Sequence, residues 1–155
     1  MPIRAYRESD LTQVVALFQR AVAAIDPDIY SPAQKALWSP DTPDLARWQA
    51  RLSKQSVYVE ATEDRLMGFI SLEADGHIDF TYVDPAYQRQ GIAQQLYDFV
   101  ENLARNSHAP RLYVEASILA RPFFEKQGFT LVSANQNQRG DQILINYTLE
   151  KHLYY

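Results

Sequence analysis

The chain has 155 residues, 46% of them hydrophobic and 22% charged, and a formal net charge of −4. Its apolar runs are too short to span a membrane, no basic-then-apolar leader opens it, and without cysteine it has neither disulfides nor a thiolate nucleophile. The negative charge argues against wide contact with nucleic acid, which proteins bind largely through Lys and Arg.

The first third of the chain predicts a short strand and two helices. Residues 3–6 alternate like a strand, and Ser9 can cap the helix that follows. That helix carries one apolar stripe, made of Leu11, Val14, Val15, Phe18, Val22 and Ile25. Residues 26–43 contain four prolines and predict an irregular segment, after which Pro43 opens a second short amphipathic helix.

The aromatic residues Tyr30 and Trp38 lie on this proline-rich segment. Aromatic side chains on a stiff loop often line a ligand site. Packing over the core is the alternative role for each of them.

The rest of the chain predicts a run of strands interrupted by helices. Strands are expected at 56–61, 65–73, 77–83, 111–115, 129–133 and 142–149, and helices at about 91–105 and through 123–124. The last two strands flank a polar loop at 135–141. This order predicts one domain over residues 1–155, built on a mixed sheet with helices on both faces.

The strand at 77–83 is unusually polar. Regular alternation would place Ile78, Phe80 and Tyr82 on one face, and His77, Asp79 and Thr81 on the other. Each unsatisfied buried polar group costs about 1–3 kcal/mol. A water-filled cleft beside a central strand would avoid that cost, although Asp79 could instead cap nearby backbone and His77 could merely begin the strand.

Residues 83–93, Val-Asp-Pro-Ala-Tyr-Gln-Arg-Gln-Gly-Ile-Ala, predict an anion-binding loop. A strand, a turn and a helix start meet at Gly91, and the first amides of a helix suit a phosphate. No Lys-Ser/Thr pair follows the glycine as in a Walker loop, and the three spaced glycines of a dinucleotide loop are missing.

Two segments resemble motifs of the GNAT N-acetyltransferase superfamily. Gln88, Gly91 and Ala93 match its acyl-CoA loop, Gln/Arg-x-x-Gly-x-Gly/Ala, and residues 120–129, Ala-Arg-Pro-Phe-Phe-Glu-Lys-Gln-Gly-Phe, resemble its second motif. The element order also matches along nearly the whole chain. The resemblance implies a mixed, mostly antiparallel sheet of about seven strands flanked by four helices, and an acyltransferase that uses acetyl-CoA.

The resemblance also implies where the cosubstrate lies. The pantetheine arm would pair with the end of the strand at 77–83, where this strand separates from the one at 111–115. The diphosphate would rest on the loop amides, and an edge of Phe124 could touch pantetheine. The implied contacts are Thr81, Tyr82, Val83, Gln88, Arg89, Gln90, Gly91, Ile92, Ala93, Gln94 and Phe124.

Acetyl transfer to an amine requires a neutral amine. Presenting a lysine-like amine of pKa about 10.4 neutral at pH 7 costs roughly 4–5 kcal/mol, whereas a thiol of pKa about 8.5 leaves as thiolate for only about 2 kcal/mol. Family members often place an acidic or histidine base on this strand. We therefore expect Asp79 first, and His77 second, to remove the proton or to bind the ammonium group.

The second motif departs from the family pattern at Phe124, where many members carry a tyrosine as general acid. Ser117 stands where the preceding loop usually offers an Asn, and it could replace the acid or simply cap the following helix. Since the chain has no cysteine for an acyl-enzyme, direct attack of the amine on the thioester is expected.

The acceptor is expected between the Tyr30–Trp38 segment and the 135–141 loop, as a small-molecule or peptide amine. We expect no metal, no nucleic acid and no membrane, and a cytoplasmic location. A homodimer is compatible with the resemblance, with Tyr154 and Tyr155 as an exposed end. The alternatives are a non-catalytic acyl-CoA sensor, an acetyltransferase toxin acting on charged tRNA, which would need a basic face, and a structural adaptor.

Overall fold

The computed structural model describes residues 3–155. Seven strands form one mixed sheet in the order β1-β2-β3-β4-β5-β7-β6. The strands are β1 (Ile3–Ala5), β2 (Ser56–Ala61), β3 (Leu66–Leu72), β4 (His77–Val83), β5 (Arg111–Ser117), β6 (Thr130–Arg139) and β7 (Gln142–His152). Neighbours are antiparallel except β4 and β5, which run parallel. The predicted mixed, mostly antiparallel sheet is confirmed.

Five α-helices within residues 3–155 accompany the sheet, one more than predicted. They are α1 (Leu11–Ala23), α2 (Pro32–Trp38), α3 (Leu45–Leu52), α4 (Ile92–Asn106) and α5 (Arg121–Lys126). The unpredicted helix is α2, which lies in the segment expected to be irregular. Ser31 and Gln34 form a reciprocal cap at its start, and Pro32 takes the first helical position, where proline is favoured.

Two predicted helix starts were wrong by a few residues. A 3₁₀ turn at Glu8–Asp10 precedes α1, and Asp10, rather than Ser9, organises this turn by accepting from Arg7 N at 2.8 Å. At α3, the cap is Asp44, which accepts from Arg47 N at 3.0 Å, so the helix begins after Pro43. In both cases an aspartate side chain accepts from a main-chain amide at or near the start of the helical segment.

The last hairpin is longer than predicted. β6 continues through Arg139, so only a tight turn at Gly140 and Asp141 remains of the expected polar loop. Asn135 donates to Asn146 Oδ1 at 3.0 Å and to Thr148 Oγ1 at 2.9 Å. These cross-strand amide bonds stabilise a segment whose asparagines are poor strand formers.

Helices cover both faces of the sheet, as predicted, and each face has its own core. On one face, α4 and α5 pack on the strands through residues such as Leu96, Tyr97 and Phe124. On the other, α1 and α3 pack through Val14, Leu17, Phe18 and Leu52. None of the helices within residues 3–155 has the length and apolar character needed to traverse a membrane.

Candidate functional site

The strands β4 and β5 separate after a short parallel contact. Their pairing covers only His77 with Tyr113 and Ile78 with Val114. A cavity of about 680 Å³ opens between them, lined by His77 and residues 79–82 of β4 and by residues 114–117 of β5. The predicted separation of these two strands is therefore confirmed, and it lies beside the polar strand.

A β-bulge in β4 changes which side chains share a face. Ile70 pairs with Thr81, but Leu72 pairs with Ile78, so β4 carries an extra residue there. The amide of Phe80 donates to Ser71 Oγ at 2.9 Å instead of to a strand carbonyl. Ile78 consequently faces the α4 core whereas Phe80 faces the α1 core. The predicted regular alternation from Ile78 to Tyr82 was wrong, because sequence periodicity does not reveal the bulge.

Main-chain directions along β4 show which groups face the opening. The amide of Asp84 donates to Met67 O at 2.8 Å, and that of Phe80 points to β3 as well. Alternate residues of a strand present N–H and C=O to opposite edges. Thr81 and Val83 therefore direct their backbone groups toward the opening, whereas Tyr82 directs its own toward β3. Thr81 lines the cavity, and its hydroxyl is buried without a hydrogen-bond partner.

The predicted anion-binding loop is exposed and precedes α4. Arg89 and Gly91 have positive φ values of 62° and 79°, and Gln88, Arg89, Gln90 and Gly91 are all exposed. A Cβ at Gly91 would meet nothing within 4 Å, so the space in front of the helix is open. Gln95 N, bonded to Gly91 O at 3.0 Å, begins the helical ladder, which leaves the earlier amides for an outside acceptor.

Side chains in the first turn of α4 have structural roles. Ile92 is buried in the α4 core and Ala93 is half-buried. Gln94 exchanges amide hydrogen bonds with Gln127 at 2.9 and 2.8 Å, which ties the start of α4 to the end of α5. The side chains of these residues are thus engaged in packing or in contacts between helices, and their backbone amides are the groups left for an outside acceptor.

Asp84 stabilises the turn that leads from β4 into this loop. It is buried, caps the 3₁₀ turn at Pro85–Tyr87 by accepting from Ala86 N at 3.0 Å, and pairs with Arg20 and Arg65 at 2.7 Å each. Burial raises the pKa of Asp84, but the Ala86 amide and the two guanidinium groups outweigh it and lower the pKa. No local sequence pattern reveals these contacts, because Arg20 and Arg65 come from distant segments.

Asp79 lies in the cavity and is already paired. Arg51 Nε donates to Asp79 Oδ2 at 2.8 Å, Arg51 Nη2 donates to the other oxygen, and Gln55 Nε2 adds a third bond at 2.8 Å. Burial raises the pKa of Asp79, but the bonds from Arg51 and Gln55 lower it below its usual value. A carboxylate held in this way is a weak base.

His77 has both ring nitrogens engaged by carboxylates. Nδ1 lies 2.6 Å from Glu73 Oε1, and Nε2 lies 2.9 Å from Glu115 Oε1. Burial lowers the pKa of His77, but the hydrogen bonds that its ring donates to Glu115 and Glu73 raise the pKa to about 9. The imidazole is therefore protonated at neutral pH, with no lone pair for an amine proton.

Among the described residues, Glu73, His77 and Asp79 form a group that could hold a metal ion, with one atom of each lying within 4.8 Å of the others. His77 and Asp79 use these atoms for Glu73, Glu115 and Arg51 instead. Metal binding here would require a protonated imidazole to lose its proton and an arginine to leave.

Ser117 and Phe124 both line the cavity. Ser117 Oγ accepts from Ala120 N at 3.1 Å, so it caps the turn that leads into α5, and its own hydroxyl hydrogen remains available to donate. Phe124 is 1% exposed and makes edge contacts with Tyr97 and Phe129. It is thus mainly a core residue with one edge at the cavity.

Tyr30 and Trp38 also line the cavity, at its α2 end. The Tyr30 hydroxyl donates to Ile145 O at 2.6 Å and accepts from Ile118 N at 3.0 Å. Its ring meets Trp38 edge-on, with centroids 5.3 Å apart. Tyr30 is buried and joins three elements, whereas Trp38 is half-buried and presents apolar surface to the cavity.

Several residues of the site were missed in the sequence. Arg47 and Arg51 on α3 and Glu115 on β5 all line the cavity. Glu115 had a detectable sign, since a charged residue inside an apolar strand run is unusual. The arginines had none, because surface helices commonly carry arginine and only the docking of α3 brings these to β4.

Comparison with known proteins yields one consistent family. The model of a family described as Acetyltransferase (GNAT) domain matches residues 27–150. The uncharacterized N-acetyltransferase YafP of Escherichia coli (strain K12) is 38% identical over 130 residues, which cover 84% of this chain and 81% of YafP.

Two solved structures have the same fold. A GCN5-related N-acetyltransferase from Rhodopseudomonas palustris is 32% identical, with a TM-score of 0.92 over 98% of this chain and 95% of that one. The yncA protein of Salmonella typhimurium, solved with acetyl-CoA, is 19% identical, with a TM-score of 0.72 over 99% and 94% of the two chains.

Proposed function

Because the chain belongs to the GNAT family of N-acetyltransferases, we propose that it transfers an acetyl group from acetyl-CoA to a small-molecule or peptide amine by direct attack of the amine on the thioester. The observation that carries this proposal is the cavity between β4 and β5, which is bordered by the strand that leads into the exposed loop before α4. The sheet uses residues from Ile3 to His152, so we propose that the whole chain is one such domain.

The residues present fit acetyl-CoA. The backbone amides from Arg89 to Gln94 can hold the diphosphate at the positive end of α4, and the open space at Gly91 admits it. The free backbone edge at Thr81 and Val83 can bind the pantetheine arm as an added strand. Bound there, acetyl-CoA supplies an activated carbonyl, and a backbone donor aimed at its oxygen is worth about 3 kcal/mol in the transition state.

Proton removal is assigned differently from the sequence expectation. Asp79 is paired with Arg51 and His77 is protonated, so we assign both to positioning rather than to direct proton abstraction. Glu115 lines the same cavity, uses one oxygen for His77 and is 41% exposed through its side chain. It can take the amine proton and release it to water.

Departure of the coenzyme A thiolate requires less catalytic assistance than deprotonation of the amine. Its formation at pH 7 costs only about 2 kcal/mol, so Phe124 in place of a tyrosine is tolerable. Ser117 keeps a hydroxyl hydrogen beside the cavity while it caps the next turn, and we assign it as the donor to sulfur.

The test combines binding with turnover. Calorimetry should show 1:1 binding of coenzyme A, and thiol release from acetyl-CoA should depend on an added amine. Tight binding without turnover for any of a broad set of amines would favour the acyl-CoA sensor instead. Absence of coenzyme A binding by folded protein would refute both. Salt-dependent retention of tRNA would instead support the toxin alternative.

A further inference from the structure

Three arginines, Arg47, Arg51 and Arg139, line the cavity. Arg47 and Arg51 are four residues apart on α3, so they share one helical face, and both line the cavity. Arg139, near the end of β6, lines the same cavity from the hairpin. The cavity is therefore not the acidic site that a purely cationic amine would favour.

The carboxylates nearby are already engaged. Asp79 is held by Arg51 and Gln55, Glu115 is bonded to His77, and Asp44 caps the start of α3. Within residues 3–155, no carboxylate lies within ion-pairing distance of the Arg47 or Arg139 guanidinium. Two guanidinium groups thus face the cavity without an anionic partner.

Arg51 is oriented rather than free. Asp79 binds its Nε and Nη2, and the guanidinium lies 4.5 Å from the centroid of the Phe80 ring. Nη1 has no acceptor among the described residues, so it remains available to a ligand. A guanidinium fixed in this way is well suited to bind an anionic oxygen.

We propose that the acceptor carries an anionic group, a carboxylate or a phosphonate, beside its amine, and that Arg47 and Arg139 bind this group while Asp79 positions Arg51 next to it. The inference rests on the proposed function of the same cavity. Aromatic rings form the adjoining wall, with Trp48 stacked on Phe80 at 5.1 Å and edge-on to Phe18 at 4.9 Å. An amine with an apolar body therefore suits the site.

The first experiment measures binding without turnover. Trp38 and Trp48 are the two tryptophans of the chain, and both line the cavity, so their fluorescence reports its occupancy. The probes are N-acetylphenylalanine, its phosphonate analogue and neutral N-acetyl-2-phenylethylamine. We expect at least one of the two anionic probes to bind about tenfold more tightly than the neutral probe. The anionic probe that binds more tightly shows whether the site prefers a carboxylate or a phosphonate.

Variants localise the effect. Arg47→Gln and Arg139→Gln should each reduce the preference for the anionic probe and leave the neutral probe unaffected. Lys54→Gln removes an exposed positive charge just after α3 that does not line the cavity, and it should change neither affinity. The proposal would be overturned if all three probes bound with equal affinity or if the anionic probes did not bind. It would also be overturned if both arginine variants kept the wild-type preference for the anionic probe.

The second experiment separates this inference from the proposed function. Phenylalanine, its aminophosphonate analogue and 2-phenylethylamine are compared as acceptors by thiol release from acetyl-CoA. Faster turnover of an anionic acceptor supports the inference. Equal or faster turnover of 2-phenylethylamine overturns the inference but still supports the proposed acetyltransferase function. Anionic binding without transfer to any amine would refute the enzyme proposal alone.

Discussion

Arg51 joins α3 to the middle of β4 by donating both Nε and Nη2 to the carboxylate of Asp79. The Asp79 side chain is 8% exposed, while that of Arg51 is 56% exposed. The pair therefore combines a buried anion with a cation that can still meet a ligand. It also fixes the distance between α3 and the strand that borders the cavity.

Substituting either Arg51 or Asp79 should remove the interaction that links α3 to β4. We expect Asp79→Asn to lower the free energy of unfolding by about 1–2 kcal/mol, because a buried bidentate bond is lost. In a double-mutant cycle with Arg51→Gln, the coupling should be about 1 kcal/mol, since exposure of Arg51 weakens the ion pair. Urea unfolding of the four proteins measures it, and strictly additive changes would contradict the pairing.

His77 should make stability depend on pH. Its pKa is raised from 6.5 to about 9, so its contribution is complete below pH 6.5 and is lost as pH rises toward 9. The loss should be on the order of 2 kcal/mol, less than the full shift implies, because the Glu73 and Glu115 side chains are 43% and 41% exposed.

The measurement compares urea unfolding of the wild type and His77→Gln between pH 6 and pH 9. The wild-type advantage should shrink as the pH rises. A constant difference over that range would show that His77 titrates at its ordinary pKa.

Gly91 and Gly140 provide a matched pair for the coenzyme A loop. Both have positive φ, 79° and 57°, and an added Cβ clashes with nothing at either position. Alanine at each should cost about 1 kcal/mol of stability. Only Gly91→Ala should weaken coenzyme A binding, by about fivefold or more, because its methyl group lies before the phosphate-binding amides. Calorimetry that finds equal affinities would place the diphosphate elsewhere.

Asp84 should be important for stability without touching a ligand. Asp84→Asn leaves Arg20 and Arg65 without their partner, and we expect a loss of about 2 kcal/mol at pH 7. Because the pKa of Asp84 is lowered in the folded protein, its contribution exists above the unfolded pKa of 3.8 and is lost as pH falls. Asp64→Asn, at an exposed turn position, serves as the control and should change stability little.

Chelation should leave the acetyltransferase rate unchanged. The oxygen and nitrogen atoms of Glu73, His77 and Asp79 are bonded to one another or to protein partners, so we expect EDTA to have no effect on thiol release. Loss of rate that added zinc restores would show that this group binds a functional metal.

Local sequence patterns predicted most of the fold. The loop before α4 was identified because a glycine, which the structure shows with a positive φ, stands where the helix begins. By contrast, α2 was hidden by the proline content of its segment, although Ser31-Pro32 is a favourable helix start. The extension of β6 was hidden too, since its asparagines gain strand stability only from partners across the hairpin.

The parts of the candidate site that could be predicted are those formed by residues close together in the sequence. The roles proposed for Thr81, Val83 and Gly91 rest on their backbone, whose direction follows from strand and helix geometry. Asp79 and His77 were identified as polar strand residues, but their protonation depends on Arg51, Glu115 and Glu73. Those partners come from separate elements, or from a turn away, so no sequence periodicity could have assigned the charge states.

The hydrogen bond from Tyr30 to Ile145 spans 115 positions of the chain. During synthesis, the segment that carries Tyr30 emerges from the ribosome long before the carbonyl that accepts its hydroxyl. The cavity wall at Tyr30 therefore cannot be complete until Ile145 has been made, and a nascent chain that stops short of this residue lacks that part of the cavity.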